Sequence, residues 1–292
     1  MKGVSNGAGT RFMAKQLEKY QEIERSIITT YRKTIWSPFT LAVKKYNLIE
    51  KGDKIAVCIS GGKDSMLLAK LMQELHRHSE VDFELVFLVM DPGYNEANRQ
   101  RIEENAKLLN VPVTIFESDI FEVSDSISAQ SPCYMCARMR RGHLYSKAKE
   151  LGCNKIALGH HKSDVIETTL MGMLYGGQIQ GMLPRIKSSN FEGMELIRPM
   201  YCILEEDILR WQKHNGLEFI ACACRFVKSL EGQEVLPTFS ARKRVKELIA
   251  ELKKEHENIE NCIFQSIHNV QLDTLAEYKQ DGIKHSFLER FE

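Results

Sequence analysis

The stretch CISGGKDSMLLAKL, residues 58–71, joins two apolar runs through a short polar turn. Residues 54–59 (KIAVCI) predict a buried strand, and residues 64–78 predict a helix because leucines recur there at helical spacing. A strand that leads directly into a helix places backbone N–H groups and the positive end of the helix dipole at the turn. The turn is therefore a candidate anion site, although Gly–Gly also marks ordinary βα turns.

The residue types of this turn favour a nucleotide phosphate over an unliganded turn. Gly61 and Gly62 would let the backbone approach an anion closely, and Lys63 adds a mobile cation. Asp64 is unusual beside a phosphate unless it caps the helix or holds a metal ion. The first glycine of the G-x-x-x-x-G-K-[ST] pattern is missing, so this is a different phosphate loop. The predicted nucleotide-binding residues of the turn are Ser60, Gly61, Gly62, Lys63, Asp64 and Ser65.

Short apolar runs alternate with helical patterns along the rest of the chain. This alternation predicts an α/β fold, a twisted parallel sheet with helices on both faces. Helical additions are expected at both termini, from about residue 11 to 32 and in a mainly helical region after residue 200. The further predicted strands are 83–90, 111–117 and 154–159, and the further helices are 96–109, the segment after residue 136, 205–215 and 241–256.

The amino-acid composition limits the classes of protein to which this chain can belong. The 292 residues are 43% hydrophobic and 27% charged, which suits one large α/β domain with appended elements. A formal net charge of +1 excludes a general polyanion binder, so any nucleic-acid contact must be a local basic patch. There is no apolar run of about 20 residues and no secretory signal, so we expect a cytoplasmic protein without a membrane span.

Eight cysteines in a chain expected to be cytoplasmic point to ligands, nucleophiles or core residues rather than disulfides. Cys133 and Cys136 form a C-x-x-C, and Cys222 and Cys224 form a C-x-C. Since free cysteine is among the most buried residue types, we predict that the others pack in the interior. These single cysteines are Cys58, Cys153, Cys202 and Cys262.

Two motifs carry a family resemblance. The order S-G-G-K-D-S resembles the pyrophosphate loop of the ATP pyrophosphatases, which form the adenine nucleotide alpha hydrolase-like fold. Residues 131–177, from SPCYMCARMRR to GHHKSDVIETTLMGMLYGG, are similar to the tRNA 2-thiocytidine biosynthesis family, as are NLIEKGDKIAVCISGGKDS and LIRPMYC. The resemblance spans roughly residues 23–275. No cysteine precedes Cys58, which favours this branch over the 2-thiouridine enzymes and their N-terminal zinc module.

The resemblance implies an enzyme that adenylates a tRNA anticodon-loop cytidine with ATP and Mg²⁺ and replaces its oxygen with sulfur. It also implies a [4Fe–4S] cluster held by three cysteines. Cys133 and Cys136 match the first two ligands. In the family the third ligand lies in a C-x-x-C, and the corresponding stretch of this sequence is the C-x-C of Cys222 and Cys224. Cys224 is favoured as the third ligand, and Cys222 stays eligible. A four-cysteine zinc site and a redox C-x-x-C are the alternatives.

Further site residues are expected where the fourth strand ends. Asp164 would bind Mg²⁺ or orient the substrate, which makes it, with Lys63 and Asp64, a predicted catalytic residue. Arg140, Gly159 and His160 are the remaining predicted cofactor-binding residues. A structural histidine and a solvated basic helix are the alternative interpretations.

The expected partners are tRNA and a sulfur-donating protein such as a cysteine desulfurase, and both a monomer and a homodimer stay open. Basic segments 138–149 and 241–254 are the candidate RNA contacts. The predicted division is an N-terminal helical region with a disordered tip (1–50), a nucleotide and iron–sulfur domain (51–226) and a helical region (227–292). Related 2-thiouridine or lysidine-type synthetases, and a non-enzymatic ATP-gated RNA- or metal-binding protein, are the alternatives.

Overall fold

A computed structural model describes residues 17–118, 132–220 and 237–291, with the backbone alone for 132–138 and 237–240. Its centre is a six-stranded sheet in the order β3-β2-β1-β4-β6-β5, in which β5 alone runs antiparallel to its neighbour. The predicted parallel α/β fold is confirmed. The strands are β1 Lys54–Ile59, β2 Glu84–Asp91, β3 Val113–Glu117, β4 Lys155–Ala157, β5 Arg185–Lys187 and β6 Glu195–Ile197.

Helices cover both faces of this sheet, as the alternating side chains of β1 show. Ile55 and Val57 belong to one buried cluster, which includes residues of α1, α3 and α7, whereas Ala56 and Cys58 belong to another with α5. The helices are α1 Lys19–Ile28, α2 Ser37–Lys45, α3 Lys63–His78, α4 Glu96–Leu108, α5 Pro132–Glu150, α6 Lys162–Gly176, α7 Glu205–His214, α8 Pro237–Glu255 and α9 Ile259–Ser266.

The N-terminal helix is shorter than predicted within the described residues. It ends at Ile28, a π-helical turn spans Arg32–Trp36, and α2 begins at once with Pro38 in its first turn. Four consecutive β-branched residues, 27–30, weaken the helix at this point because their side chains lose rotamer freedom there. The single predicted helix over 11–32 is therefore wrong in this part.

The C-terminal region is helical only in part. Helices α8 and α9 pack on α6 through a buried cluster that includes Val165, Val245 and Phe264. A two-stranded antiparallel hairpin, β7 Glu277–Gln280 and β8 Ile283–Ser286, follows them and was not predicted. No helix in the described ranges is both long and apolar enough to cross a membrane.

The four single cysteines divide between interior and surface. Cys58 and Cys153 are buried and Cys202 is half-buried, as expected for packing residues. Burial raises the pKa of the Cys58 thiol to about 12, so this sulfur stays protonated and unreactive. Cys262 is exposed, and the prediction that it packs in the interior is wrong. It lies on the short helix α9, one face of which is open to solvent.

Candidate active site

The predicted phosphate loop, residues 60–65, connects the end of β1 to the start of α3. Gly61 has a φ of +82°, and Gly62 is the N-cap of α3 with a φ of −81°. The Ser65 hydroxyl ties the loop together: it accepts from the Ser60 backbone N–H at 3.1 Å and donates to the Gly62 carbonyl at 3.0 Å. The first N–H groups of a 16-residue helix are thus held at a fixed turn, which is the geometry of an anion site.

The two loop glycines serve different needs. A Cβ on Gly61 would lie 2.5 Å from Ile102 Cγ1 and 2.7 Å from Ile220 Cδ1, so packing and the positive φ both require glycine. A Cβ on Gly62 would lie 3.7 Å from Ser60 Oγ and 3.8 Å from the Ile220 carbonyl oxygen, which are ordinary contacts. Packing against the described residues therefore does not require glycine at position 62, and what glycine offers there is a favourable N-cap and room for a ligand to approach.

We expect alanine at these two positions to separate folding from ligand binding. Gly61→Ala should lower the free energy of unfolding by about 1–2 kcal/mol from the left-handed backbone, with a further cost from the clash. Gly62→Ala should cost about 1 kcal/mol as a weaker N-cap but reduce ATP affinity by roughly tenfold or more. Urea denaturation and calorimetric ATP titration measure the two effects. Wild-type ATP affinity in Gly62→Ala would contradict a phosphate cradle here.

Lys63 and Asp64 begin α3 and lie within one ion-pair network. Lys63 Nζ is 3.1 Å from Asp64 Oδ2 and 2.9 Å from Glu205 Oε1. Burial lowers the pKa of Lys63, but these two carboxylates outweigh it and raise the pKa, so the cation is fixed at neutral pH. The other Asp64 oxygen, Oδ1, is buried and accepts no hydrogen bond within the described part of the chain. It is available to a ligand or metal ion.

The two carboxylates predicted to be catalytic are brought together around one imidazole. His161 Nε2 lies 3.7 Å from Asp64 Oδ1 and 3.5 Å from Asp164 Oδ2. Asp164 is also fixed by a capping box at the start of α6, where its Oδ2 accepts from the His161 backbone N–H at 3.0 Å. Burial raises the pKa of Asp164, but His161 outweighs it and the pKa is lowered. We call Asp64 and Asp164 the carboxylate pair.

Cations from helix α8 complete this network, and the sequence patterns did not predict their role. Arg242 Nη1 lies 3.3 Å from Asp164 Oδ1, and Lys246 Nζ lies 3.0 Å from Glu205 Oε2 and 3.5 Å from Glu167 Oε1. Burial raises the pKa of Glu205, but the hydrogen bonds from Lys63 and Lys246 outweigh it and hold that pKa at about 2. The site is thus lined by alternating charges contributed by α3, α6, α7 and α8.

Gly159, His160 and Arg140 surround the network without joining it. Gly159 is a close-approach position, as predicted, but a Cβ there would lie 3.1 Å from the backbone of Asp64 and Ser65. It brings β4 against the phosphate loop. Arg140 Nη2 donates to the Tyr94 hydroxyl at 3.1 Å, near the end of β2. Whether these residues contact a nucleotide stays a prediction.

His160 is mostly buried, and its Nδ1 has no hydrogen-bond partner in the described residues. Burial, helped by the charge of Arg198, lowers its pKa to about 4 from 6.5. The unfolded chain binds a proton below pH 6.5, whereas the folded chain resists it. His160 therefore makes stability fall as the pH is lowered from 6.5 towards 4.

We expect His160→Gln to remove part of this pH dependence. The free energy of unfolding of wild type should fall more steeply between pH 6.5 and pH 4 than that of the variant, as measured by urea denaturation. His143 is exposed on α5, and His143→Gln is the matched control, which should keep the wild-type slope. Equal slopes for wild type and His160→Gln would refute a buried neutral imidazole.

The predicted cluster ligands lie only partly within the described structure. Cys133 and Cys136 lie near the start of α5, three residues apart along the chain. Cysteine thiolates are the usual ligands of an iron–sulfur cluster. Cys222 and Cys224 lie outside the described residues. Among the described side chains no group of three His, Cys, Asp or Glu could hold a metal ion.

The chain was compared with known proteins. A family model described as a PP-loop domain matches residues 33–224. Two curated relatives are both named tRNA-cytidine(32) 2-sulfurtransferase. The Vibrio cholerae protein is 33% identical over 272 residues, which cover 91% of this chain and 83% of the relative. The Geotalea uraniireducens protein is 34% identical over 233 residues, covering 79% and 88%. This chain belongs to the PP-loop tRNA-cytidine(32) 2-sulfurtransferase family.

A solved structure agrees with this 2-sulfurtransferase fold. The U34-tRNA thiolase NcsA from Methanococcus maripaludis, solved with its [4Fe-4S] cluster, superposes with a TM-score of 0.62. It covers 83% of this chain and 80% of its own, at 20% identity, so the likeness shows the fold. The PP-loop match includes both cysteine pairs and ends at residue 224. The α8 cations that complete the 2-sulfurtransferase site lie beyond it.

Proposed function

We propose that this protein is an ATP-dependent tRNA sulfurtransferase that converts a cytidine of the anticodon loop to 2-thiocytidine. Both curated relatives are named for a cytidine at position 32, and this supports position 32 as the target. The observation that carries the proposal is the carboxylate pair beside Lys63 at the phosphate loop. Backbone N–H groups and one cation bind phosphate, and two carboxylates at the same place suit a metal–nucleotide complex rather than a bare anion.

The carboxylate pair would hold Mg²⁺ together with the phosphates of ATP. Mg²⁺ in such sites usually has one or two carboxylate ligands and takes the rest from phosphates and water. Asp64 Oδ1, which is buried and accepts no hydrogen bond from the described residues, suits this role. Asp164 Oδ1 is paired with Arg242, so Arg242 would have to share it with the ion.

In the first chemical stage the cytidine carbonyl oxygen attacks the α-phosphorus and pyrophosphate leaves. Lys63 and the N-terminus of α3 stabilise the charge that develops on the departing phosphates. In the second stage an incoming hydrosulfide attacks the activated carbon. The carbon–sulfur bond forms, the carbon–oxygen bond breaks, AMP leaves with the original oxygen and one proton is released.

The cluster would be bound by Cys133, Cys136 and one of Cys222 and Cys224. With three thiolate ligands it supplies an iron position without a protein ligand, at which sulfide can be presented. The protein's own contribution is the placement of the first two thiolates at the start of α5. A cysteine desulfurase in the cytoplasm is the proposed sulfur source.

The function is tested with purified, anaerobically reconstituted protein, unmodified tRNA, Mg-ATP and sulfide. Mass spectrometry of the digested tRNA should show 2-thiocytidine, with one pyrophosphate and one AMP per thiolated base. Formation of 2-thiouridine would overturn the base assignment. ATP binding without any tRNA-dependent pyrophosphate release would favour a non-enzymatic RNA- or metal-binding protein.

Helix α8 is the proposed tRNA contact. Arg242, Lys246 and Lys253 pair with carboxylates of the protein, whereas Lys243 and Arg244 are exposed and form no ion pair with the described residues. Lys243 and Arg244 can therefore contact RNA phosphates. Such contacts position the substrate without reading its sequence.

We expect the double variant Lys243→Ala/Arg244→Ala to weaken tRNA binding and reduce its salt dependence. Two lost phosphate contacts should lower the slope of log K against log salt by about 1.4–1.8, as measured by filter binding at several salt concentrations. Lys284→Ala removes one positive charge from the C-terminal hairpin, where the lysine is paired with Glu277, and is the control for a charge lost away from α8. An unchanged slope in the double variant would exclude this face of α8.

A further inference from the structure

Arg198 is a buried cation without a counterion. It follows β6 directly, and its residue is 6% exposed. Its Nη1 donates to the Leu183 carbonyl, whereas its buried Nε has no hydrogen-bond partner in the parts of the chain that are described. No described carboxylate lies within ion-pair distance of it. Buried arginines are ordinarily paired, since an isolated buried charge is costly.

The charges that act on Arg198 are of both signs: Arg141 repels its cation, whereas Asp164 attracts it from beyond ion-pair distance. Burial, together with the nearby charge of Arg141, lowers its pKa to about 10, which still leaves the guanidinium protonated at neutral pH. His160, on which the charge of Arg198 acts, is held neutral and also has a buried nitrogen without a described partner. Two buried nitrogens without described hydrogen-bond partners therefore lie in a region where the cations Arg198 and Arg141 outnumber the carboxylate of Asp164, which is complementary to an anion.

The position of this region relative to the phosphate loop indicates that the anion is a phosphate of the nucleotide. Strand β6 is next to β4, and β4 is next to β1, so Arg198 lies two strands from the loop, about 10 Å across the sheet. It is on the opposite side of β1 from β2. Adenylation must release pyrophosphate while retaining AMP on the acceptor, which requires phosphate binding at a second position apart from the loop.

We propose that Arg198 binds an oxygen of the nucleotide α-phosphate and holds the AMP group after pyrophosphate has left. This inference rests on the proposed function and names a residue that none of the predictions assigned. Arg198 Nη1 donates to the Leu183 carbonyl, whereas its Nε has no described partner. The guanidinium can therefore donate to a phosphate oxygen and keep its contact with Leu183. The exposed Arg141 of α5 would not be equivalent, because water screens its charge.

The test compares wild type with Arg198→Met and Arg198→Lys in the full-length protein. Melting temperature is measured alone, with AMP and with pyrophosphate. We expect Arg198→Met without ligand to melt at or above the wild-type temperature, because an unpaired buried charge has been removed. We expect AMP to stabilise wild type but not this variant, and pyrophosphate to stabilise both. Lys63→Ala is the matched control, which should lose the pyrophosphate response.

Each outcome separates this inference from the proposed function. If AMP and pyrophosphate both stabilise Arg198→Met as they do wild type, the inference is wrong and the function stands. If neither stabilises wild type, the proposed function fails. If Arg198→Met does not fold, Arg198→Lys is measured instead. Lysine keeps the positive charge but lacks the planar guanidinium, so we expect this variant to bind AMP at least tenfold more weakly than wild type. Retained AMP binding with weakened binding of an anticodon stem–loop RNA would assign Arg198 to an RNA phosphate and overturn the inference.

Discussion

Asp64→Asn is expected to reduce the rate of tRNA thiolation by roughly 10³-fold while leaving the protein folded. Asparagine has nearly the same shape, so Lys63 and the start of α3 should stay in place. The substitution, however, removes the negative charge from the ligand that we assign to Mg²⁺ and leaves Asp164 as the remaining carboxylate of the pair. Mass spectrometry of 2-thiocytidine in single-turnover reactions measures the rate.

A second aspartate supplies the control for this prediction. Asp207 is also buried, but it lies on α7, away from the phosphate loop, and pairs with Arg210. Asp207→Asn should therefore keep the wild-type thiolation rate, whatever its effect on stability. A wild-type rate in Asp64→Asn would exclude this carboxylate from catalysis and remove the main support for the proposed function.

Loss of either cysteine at the start of α5 should abolish both the cluster and thiolation. With three protein ligands, Cys133→Ala or Cys136→Ala leaves two, which is too few to retain the iron. Iron and sulfide content and visible absorption after anaerobic reconstitution measure the cluster, and tRNA nucleosides measure thiolation. The exposed Cys262 is the control, because Cys262→Ala should retain both.

The second cysteine pair, Cys222 and Cys224, distinguishes three cluster ligands from four. We expect Cys224→Ala to lose the cluster and Cys222→Ala to keep at least part of it. In an extended C-x-C both side chains point to the same side, so either could reach a cluster. The reverse pattern would exchange their roles without changing the mechanism. Loss in both variants would indicate four ligands, a closed cluster and no position at which sulfide could be presented.

The local part of the site could be predicted from the sequence, because it depends on neighbours along the chain. The buried run 54–59, the turn and the helix after it are set by apolar spacing and glycine within about 25 residues. The strand boundaries were within about one residue for β1 and β2. β5 and β6 were missed because neither was recognised as a separate apolar run, whereas the equally short β4 lies within the predicted run 154–159.

The distant part of the site has no local signal. Glu205 contacts Lys63 from 142 positions away, and Arg242 contacts Asp164 from 78 positions away. The basic residues of α8 look the same in the sequence whether they face solvent or a carboxylate, so a solvated or RNA-binding face was the natural prediction. Gly159 also could not be interpreted fully from the sequence. Its glycine predicted a position that something approaches closely, but the group that approaches it in the fold is the backbone of Asp64 and Ser65.

The ion pairs of α8 have a consequence for the order in which a newly made chain becomes competent. Residues 54–197 contain every strand of the central sheet and leave the ribosome before Arg242 and Lys246. Until those cations arrive, Asp164, Glu167 and Glu205 lack the α8 charges that neutralise them, so the site of a nascent or shortened chain is more negative and attracts a nucleotide less.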